Sequence, residues 1–176
     1  MKTTEPQKVK YFIGALFSDS KILQQAIKLC QNEIGAIDLR SQDFAFDLTE
    51  YYNEEMGQPI FRTFFSFETL RCPGELARLK VLCNDIEARF AIEGARKVNL
   101  DIGYLDFHKV VLASAKYNGQ KIYLDQGIYA DPTLYFEAGK FHALEKTFPD
   151  FESDTYTEVF LEIRNNYKVQ LKSEMG

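Results

Sequence analysis

Residues 11–18, YFIGALFS, are apolar on both alternating faces: Tyr11, Ile13, Ala15 and Phe17 against Phe12, Gly14 and Leu16. A strand without a polar face belongs in the middle of a sheet covered on both sides. The period then lengthens. Ile22, Leu23, Ala26, Ile27, Cys30 and Ile34 fall on one helical stripe, capped by Ser18 or Asp19 and stopped by Gly35. Residues 37–48 read as extended but irregular, and 49–57 as a helical turn begun by Thr49 and ended by Gly57. In 59–67 the strand period returns, with Phe61, Thr63, Phe65 and Phe67 on one face and Ile60, Arg62, Phe64 and Ser66 on the other.

Pro73 suits the first turn of a second helix, whose stripe is Leu76, Leu79, Leu82 or Cys83, Ile86 and Phe90, with Gly94 as the stop. The next strand turns Val98, Leu100 and Ile102 to the core and Asn99 and Asp101 to the other face, and Gly103 is expected to form a tight exit from it. Asn118-Gly119 predicts a hairpin between the segments of 110–124, and Ala138-Gly139 a second within 127–144, where Pro132 marks an edge strand or a bulge. Ser153 or Asp154 then caps a last helix carrying Tyr156, Val159, Phe160, Ile163, Tyr167 and Leu171 along one side. The plan is α+β: a mostly antiparallel sheet with two to three long helices packed on it, in a single domain over 9–173 behind a flexible tail at 1–8.

Composition agrees with that plan. Of 176 residues, 45% are hydrophobic and 27% charged, with 15 Phe and 10 Tyr but no Trp, so phenyl and phenol rings supply much of the packing. The net charge of −5 gives no general attraction to nucleic acid or to an anionic membrane. No segment is long and apolar enough to span a bilayer, and the N-terminus lacks the apolar run of a signal peptide. Cys30, Cys72 and Cys83 form no C-x-x-C pair, and two of them sit on apolar helix faces. That predicts buried thiols in a reducing cytoplasm rather than a disulfide frame or a zinc site.

Candidate chemistry gathers around RKVNLDIGYLDFHKVV, residues 96–111. Asp101 is the candidate base or cation ligand, and Tyr104 is expected to aim its hydroxyl into the same space. Asn99, with Arg62, Arg96, Lys109 and Lys116, is the candidate set for holding a phosphate or carboxylate. The bland alternative is a half-solvated strand with an Asp–Arg pair. Arg62 stands out because it interrupts an aromatic strand and needs a partner if its face is covered. Glu50 and Glu54, four apart, would be brought together by a helical turn, but such runs are mostly solvated surface. His108 and His142 lack the hydroxyl residue two positions on that a two-histidine phosphoesterase needs, since Val110 and Leu144 stand there. No residue set is picked out as a metal site.

The order FDLTEYYNEEMG, RFAIEGARKVNLDIGYL, KVVLASAK, KIYLDQGIYADPTL and TFPDF resembles the bacterial family catalogued as domain of unknown function 4416. The resemblance covers nearly the whole chain. It implies no assigned activity, although some members are labelled GTP-binding proteins. This chain has neither the G-x-x-x-x-G-K-[ST] loop nor an N-K-x-D string, and it carries Ile102 where the family's N-L-D-P-G-Y-L has proline. Two classes of function follow. One is a nucleotide- or phosphate-ligand-binding protein or small enzyme with a polar cleft around Asn99, Asp101 and Tyr104, with Mg²⁺ as the implied cofactor if a nucleotide binds. The other is a non-catalytic module that binds a protein or ligand, with these polar residues serving the fold.

Overall fold

A computed structural model describes residues 2–47, 52–145 and 147–174, without the side chains of Asn53 and Glu54. Nine strands among them form one antiparallel sheet ordered β2-β4-β1-β5-β6-β8-β7, with β3 on β4 and β9 on β8. In chain order they are β1 (Lys10–Phe17), β2 (Ile37–Arg40), β3 (Phe44–Ala45), β4 (Phe61–Phe67), β5 (Val98–Leu105), β6 (Lys109–Ser114), β7 (Ile122–Asp125), β8 (Ile128–Glu137) and β9 (Lys140–Ala143). The α+β plan read from the pattern is the observed one.

β1 lies between β4 and β5, and all eight of its residues are buried, as its two apolar faces require. One face packs on α1 (Ser20–Ile34) and α3 (Leu76–Arg89). There Tyr11, Ile13, Ala15 and Phe17 join Phe65, Phe67, Leu100 and Ile102 against Leu23, Ile27, Cys30, Leu79, Cys83 and Ile86. Asp19 caps α1 by accepting from the amides of Lys21 and Ile22, and Gly35 closes it at φ 132°. The other face packs on α5 (Thr157–Glu174), where Phe12 and Phe64 meet Phe160 edge-on at 5.2 and 5.3 Å between ring centroids. Two short helices, α2 (Asn53–Met56) and α4 (Pro149–Glu152), lie beside this second face's polar end.

Three departures from the pattern matter for the site. The Asn118-Gly119 turn closes, with Lys121 N–H donating to the Asn118 carbonyl, but its two arms do not pair. β8 inserts between β6 and β7, and the hairpin on that side turns at Gln126 and Gly127, both at positive φ. The hairpin at Ala138-Gly139 forms as expected between β8 and β9. Pro132 accompanies a bulge against β6 rather than an edge, since β8 has neighbours on both sides. Finally, β5 does not end at Gly103. The glycine lies inside the ladder because an added Cβ would stand 2.6 Å from the Val111 carbonyl oxygen and 2.8 Å from Leu112 Cδ2. α3 ends near Arg89, well before Gly94, and Thr49 and Glu50 lie outside the described residues.

Candidate functional site

β5 runs from Val98 to Leu105, yet it pairs with β6 only over Gly103–Leu105. Below that point the sheet is split, and the backbone groups of β5 that β6 would have satisfied need other partners. Two side chains of α3 supply them. Lys80 Nζ donates to the Leu100 carbonyl at 2.9 Å, and Glu87 Oε1 accepts the Leu100 N–H at 2.7 Å. Both are buried on a helix face that is otherwise apolar. A lysine and a glutamate placed i, i+7 within a hydrophobic stripe were the sequence signal for this arrangement.

The split opens into a cleft of about 690 Å³. Its floor and walls carry Arg62 from β4, Asn99 and Asp101 from β5, Ser114 at the end of β6, Lys116 beyond it, and Arg96 ahead of β5. Rings of Phe46, Tyr52, Phe148 and Phe151 complete the lining. Register explains why the polar members meet. Leu16 of β1 lies opposite both Arg62 and Asn99, and Gly14 opposite both Phe64 and Asp101, so Arg62 and Asp101 share the sheet face that Gly14 leaves bare. A Cβ at position 14 would come within 3.0 Å of Phe64 Cε1 and 3.3 Å of Arg62 Nη1. The missing side chain is the space through which the guanidinium crosses β1.

Arg62 is almost wholly buried and faces two carboxylates, Asp150 at 3.1 Å and Asp101 at 3.6 Å, while Phe46 and Phe151 flank it at 5.1 and 5.7 Å from the ring centres. Asp101 is the more open of the two acids and has Lys80 Nζ at 4.0 Å on its other side. Burial pushes the carboxyl of Asp150 above its ordinary range; Arg62 opposes that shift and Asp101 adds to it. Glu87 is raised in the same way, by burial first and by Asp101, with Lys80, the Leu100 amide and Arg96 pulling it back. Arg96 forks onto Glu55 at 2.7 and 2.8 Å and donates to Asn99 Oδ1 at 3.0 Å. Its hydrogen bond to Glu55 raises the guanidinium further and holds the Glu55 carboxyl low.

One donor in this cleft is left over. Asn99 presents its oxygen to Arg96, which leaves Nδ2 buried without a hydrogen-bond partner. Arg62 Nε makes no in-line hydrogen bond but has the Asp150 carboxylate at 3.1 Å as its ion-pair partner. A buried donor without an acceptor is costly, roughly 1–3 kcal/mol, so a native structure that keeps one in a cleft calls for a reason.

Five of the seven residues singled out in the sequence, Arg62, Arg96, Asn99, Asp101 and Lys116, line the cleft. The other two do not. Tyr104 is three positions from Asp101 on the same strand and so points to the opposite face, where its ring meets Tyr11 edge-on at 5.9 Å; burial raises its hydroxyl. Lys109 lies at the far end of β6, exposed and paired with Asp106. Lys80, weighed in the sequence with Arg62 and Lys116 as part of a basic groove, lines the cleft as well, whereas Glu87, Ser114 and Asp150 were not among the expected site residues. His108 is exposed and His142 stacks on Tyr135, away from the cleft. No group of three or more His, Cys, Asp or Glu suited to a metal ion occurs among the described residues.

The family model described as domain of unknown function (DUF4416) matches residues 7–167. The chain belongs to this family. The match spans every cleft residue of this DUF4416 protein, from Phe46 to Phe151. Neither the curated proteins nor the solved structures contain a match. No described helix is long and apolar enough to cross a membrane.

Proposed function

We propose that the cleft binds a small anionic organic ligand, of the nucleotide or phosphate-ester kind, with an oxygen that accepts from Asn99 Nδ2 near the guanidiniums of Arg62 and Arg96. The observation carrying this reading is the buried Asn99 Nδ2, a donor without an acceptor in a cleft of ligand size. The surrounding ion pairs support it. Arg62, Lys80 and Arg96 are already held by carboxylates, so they are rigidly placed before any ligand arrives. The four lining rings offer an apolar wall to the rest of the molecule. Asp101 is the carboxylate a bound ligand would meet for hydrogen bonding or proton transfer.

A thermal-shift panel of inorganic phosphate, pyrophosphate, sugar phosphates and nucleotides, each with and without Mg²⁺, tests this. A true ligand at a hundred times its dissociation constant adds about 2.7 kcal/mol of stability. Asn99→Ser, which removes the orphan donor at small cost in volume, should abolish that gain. An equal gain in the variant, or no gain from any member of the panel in the native protein, would refute the reading.

A further inference from the structure

The cleft face of the sheet does not stop at the cleft. Ser114 lies opposite Tyr129 on β8, and Tyr129 lies opposite Tyr123 on β7. Directly paired residues share a face, so Ser114, Tyr129 and Tyr123 continue the cleft floor outward to the sheet edge. Tyr117, on the turn between β6 and β7, packs its ring 5.7 Å from that of Tyr129, and Tyr123 packs at 5.4 Å from the same ring. The result is three linked phenol rings on the cleft side of the sheet, just outside the cleft lining.

These rings are not hidden. Tyr117 is 72% exposed and Tyr123 57% exposed. Both meet on the ring of Tyr129, so their exposure is concentrated at one place on the cleft side of the sheet. Concentrated exposure of this kind marks a surface used for recognition. Its position on the same sheet face, one strand beyond Ser114, sets it next to the polar cleft.

We infer that Tyr117, Tyr123 and Tyr129 form a stacking subsite, so that the ligand is an elongated molecule with a flat aromatic ring at one end and an oxygen-rich anionic group at the other. The anionic end enters the split and accepts from Asn99, and the ring rests on the tyrosines. Strand spacing sets the length. From β5 across β6 to β8 and β7 is two to three spacings of about 4.8 Å, so the two ends stand about 10–15 Å apart. A nucleoside bearing one or more phosphates meets both requirements, whereas a sugar phosphate or pyrophosphate satisfies only the inner end. This inference rests on the proposed anion-binding role of the cleft and adds to it the ring.

The test compares ring-bearing with ringless probes. Calorimetric titrations would use nucleoside 5′-monophosphates and triphosphates against ribose 5-phosphate and pyrophosphate. Tyrosine fluorescence provides a second readout, since the chain has no tryptophan to mask it. The native protein should bind the ring-bearing probes at least about tenfold more tightly, the scale of one stacked ring, and they alone should quench tyrosine emission. The double variant Tyr117→Ala/Tyr123→Ala, altered only at exposed positions, should lose that preference while still binding the ringless probes as the native protein does.

Equal affinity for both probe sets, or an unchanged preference in the double variant, would overturn the stacking subsite and leave the cleft reading standing if Asn99→Ser still weakens the ringless probes. If no probe binds, the cleft reading fails and the subsite falls with it. A native dimer in sedimentation that the double variant abolishes would assign the tyrosines to a protein interface, which also overturns the proposal.

Discussion

Replacing Arg62 with methionine isolates the electrostatics that hold the cleft together. Methionine keeps an unbranched stem between Phe46 and Phe151 but removes the charge that faces Asp150 at 3.1 Å and Asp101 at 3.6 Å. Asp101 retains Lys80 at 4.0 Å and is 27% exposed, so water screens most of its loss. Asp150 has less relief, because its side chain is 5% exposed and its ion-pair partner is gone, which leaves it the Tyr156 hydroxyl at 3.4 Å. Removing one member of a buried pair costs about 3–5 kcal/mol when the survivor stays charged.

Asp150 can avoid that cost by taking up a proton. Its carboxyl is already raised by burial, and Arg62 is among the groups pulling it down, so the variant raises it further. Between the native and the variant titration points, the folded variant holds one proton that the native protein lacks. Its stability relative to the native protein therefore falls by about 1.4 kcal/mol for each unit of rising pH in that window. Urea denaturation at pH 5 and pH 7.5, with the slope m checked for constancy, measures the difference. The loss should be larger at pH 7.5, and Arg62→Met/Asp150→Asn should be less damaged there than Arg62→Met alone. A loss independent of pH, together with a double variant as unstable as the single one, would refute the argument.

Glu87→Gln keeps the acceptor for the Leu100 amide and removes a buried titration. Because the Glu87 carboxyl is raised in the folded protein, its favourable contribution is complete below the ordinary glutamate range and lost as pH rises through the raised value. The stability of Glu87→Gln relative to the native protein should thus improve between pH 4.5 and pH 7; a decline in denaturation measurements over that interval would contradict it. Gly103→Ala forces a methyl group within 2.6 Å of a carbonyl oxygen in the β5–β6 ladder, where backbone cannot yield cheaply. It should cost about 3 kcal/mol, the upper end for overpacking, and a thermal melt close to that of the native protein would show the contact to be softer than described.

What the chain determined by itself was everything governed by local period. The doubly apolar run of 11–17 placed β1 in the middle, the stripes of α1, α3 and α5 assigned their buried faces, and Ala138-Gly139 set a hairpin, because burial repeats every two or every 3.6 residues and positive φ selects particular residues. The same alternation set Asn99 and Asp101 on one face, and carried further it excludes Tyr104 from that face. Strand pairing was decided only by tertiary structure. Asn118-Gly119 makes its turn, but whether the arms then pair depends on β8, which competes for the same edge from later in the chain. The split between β5 and β6 is also tertiary: the ladder stops where two side chains of α3, the helix just before β5, satisfy the backbone in place of the neighbouring strand. Arg62, Asp101 and Asp150 meet because β4, β5 and α4 converge across a glycine in β1. Spacing along the sequence cannot encode that meeting, since the three residues come from separate elements joined only by the fold.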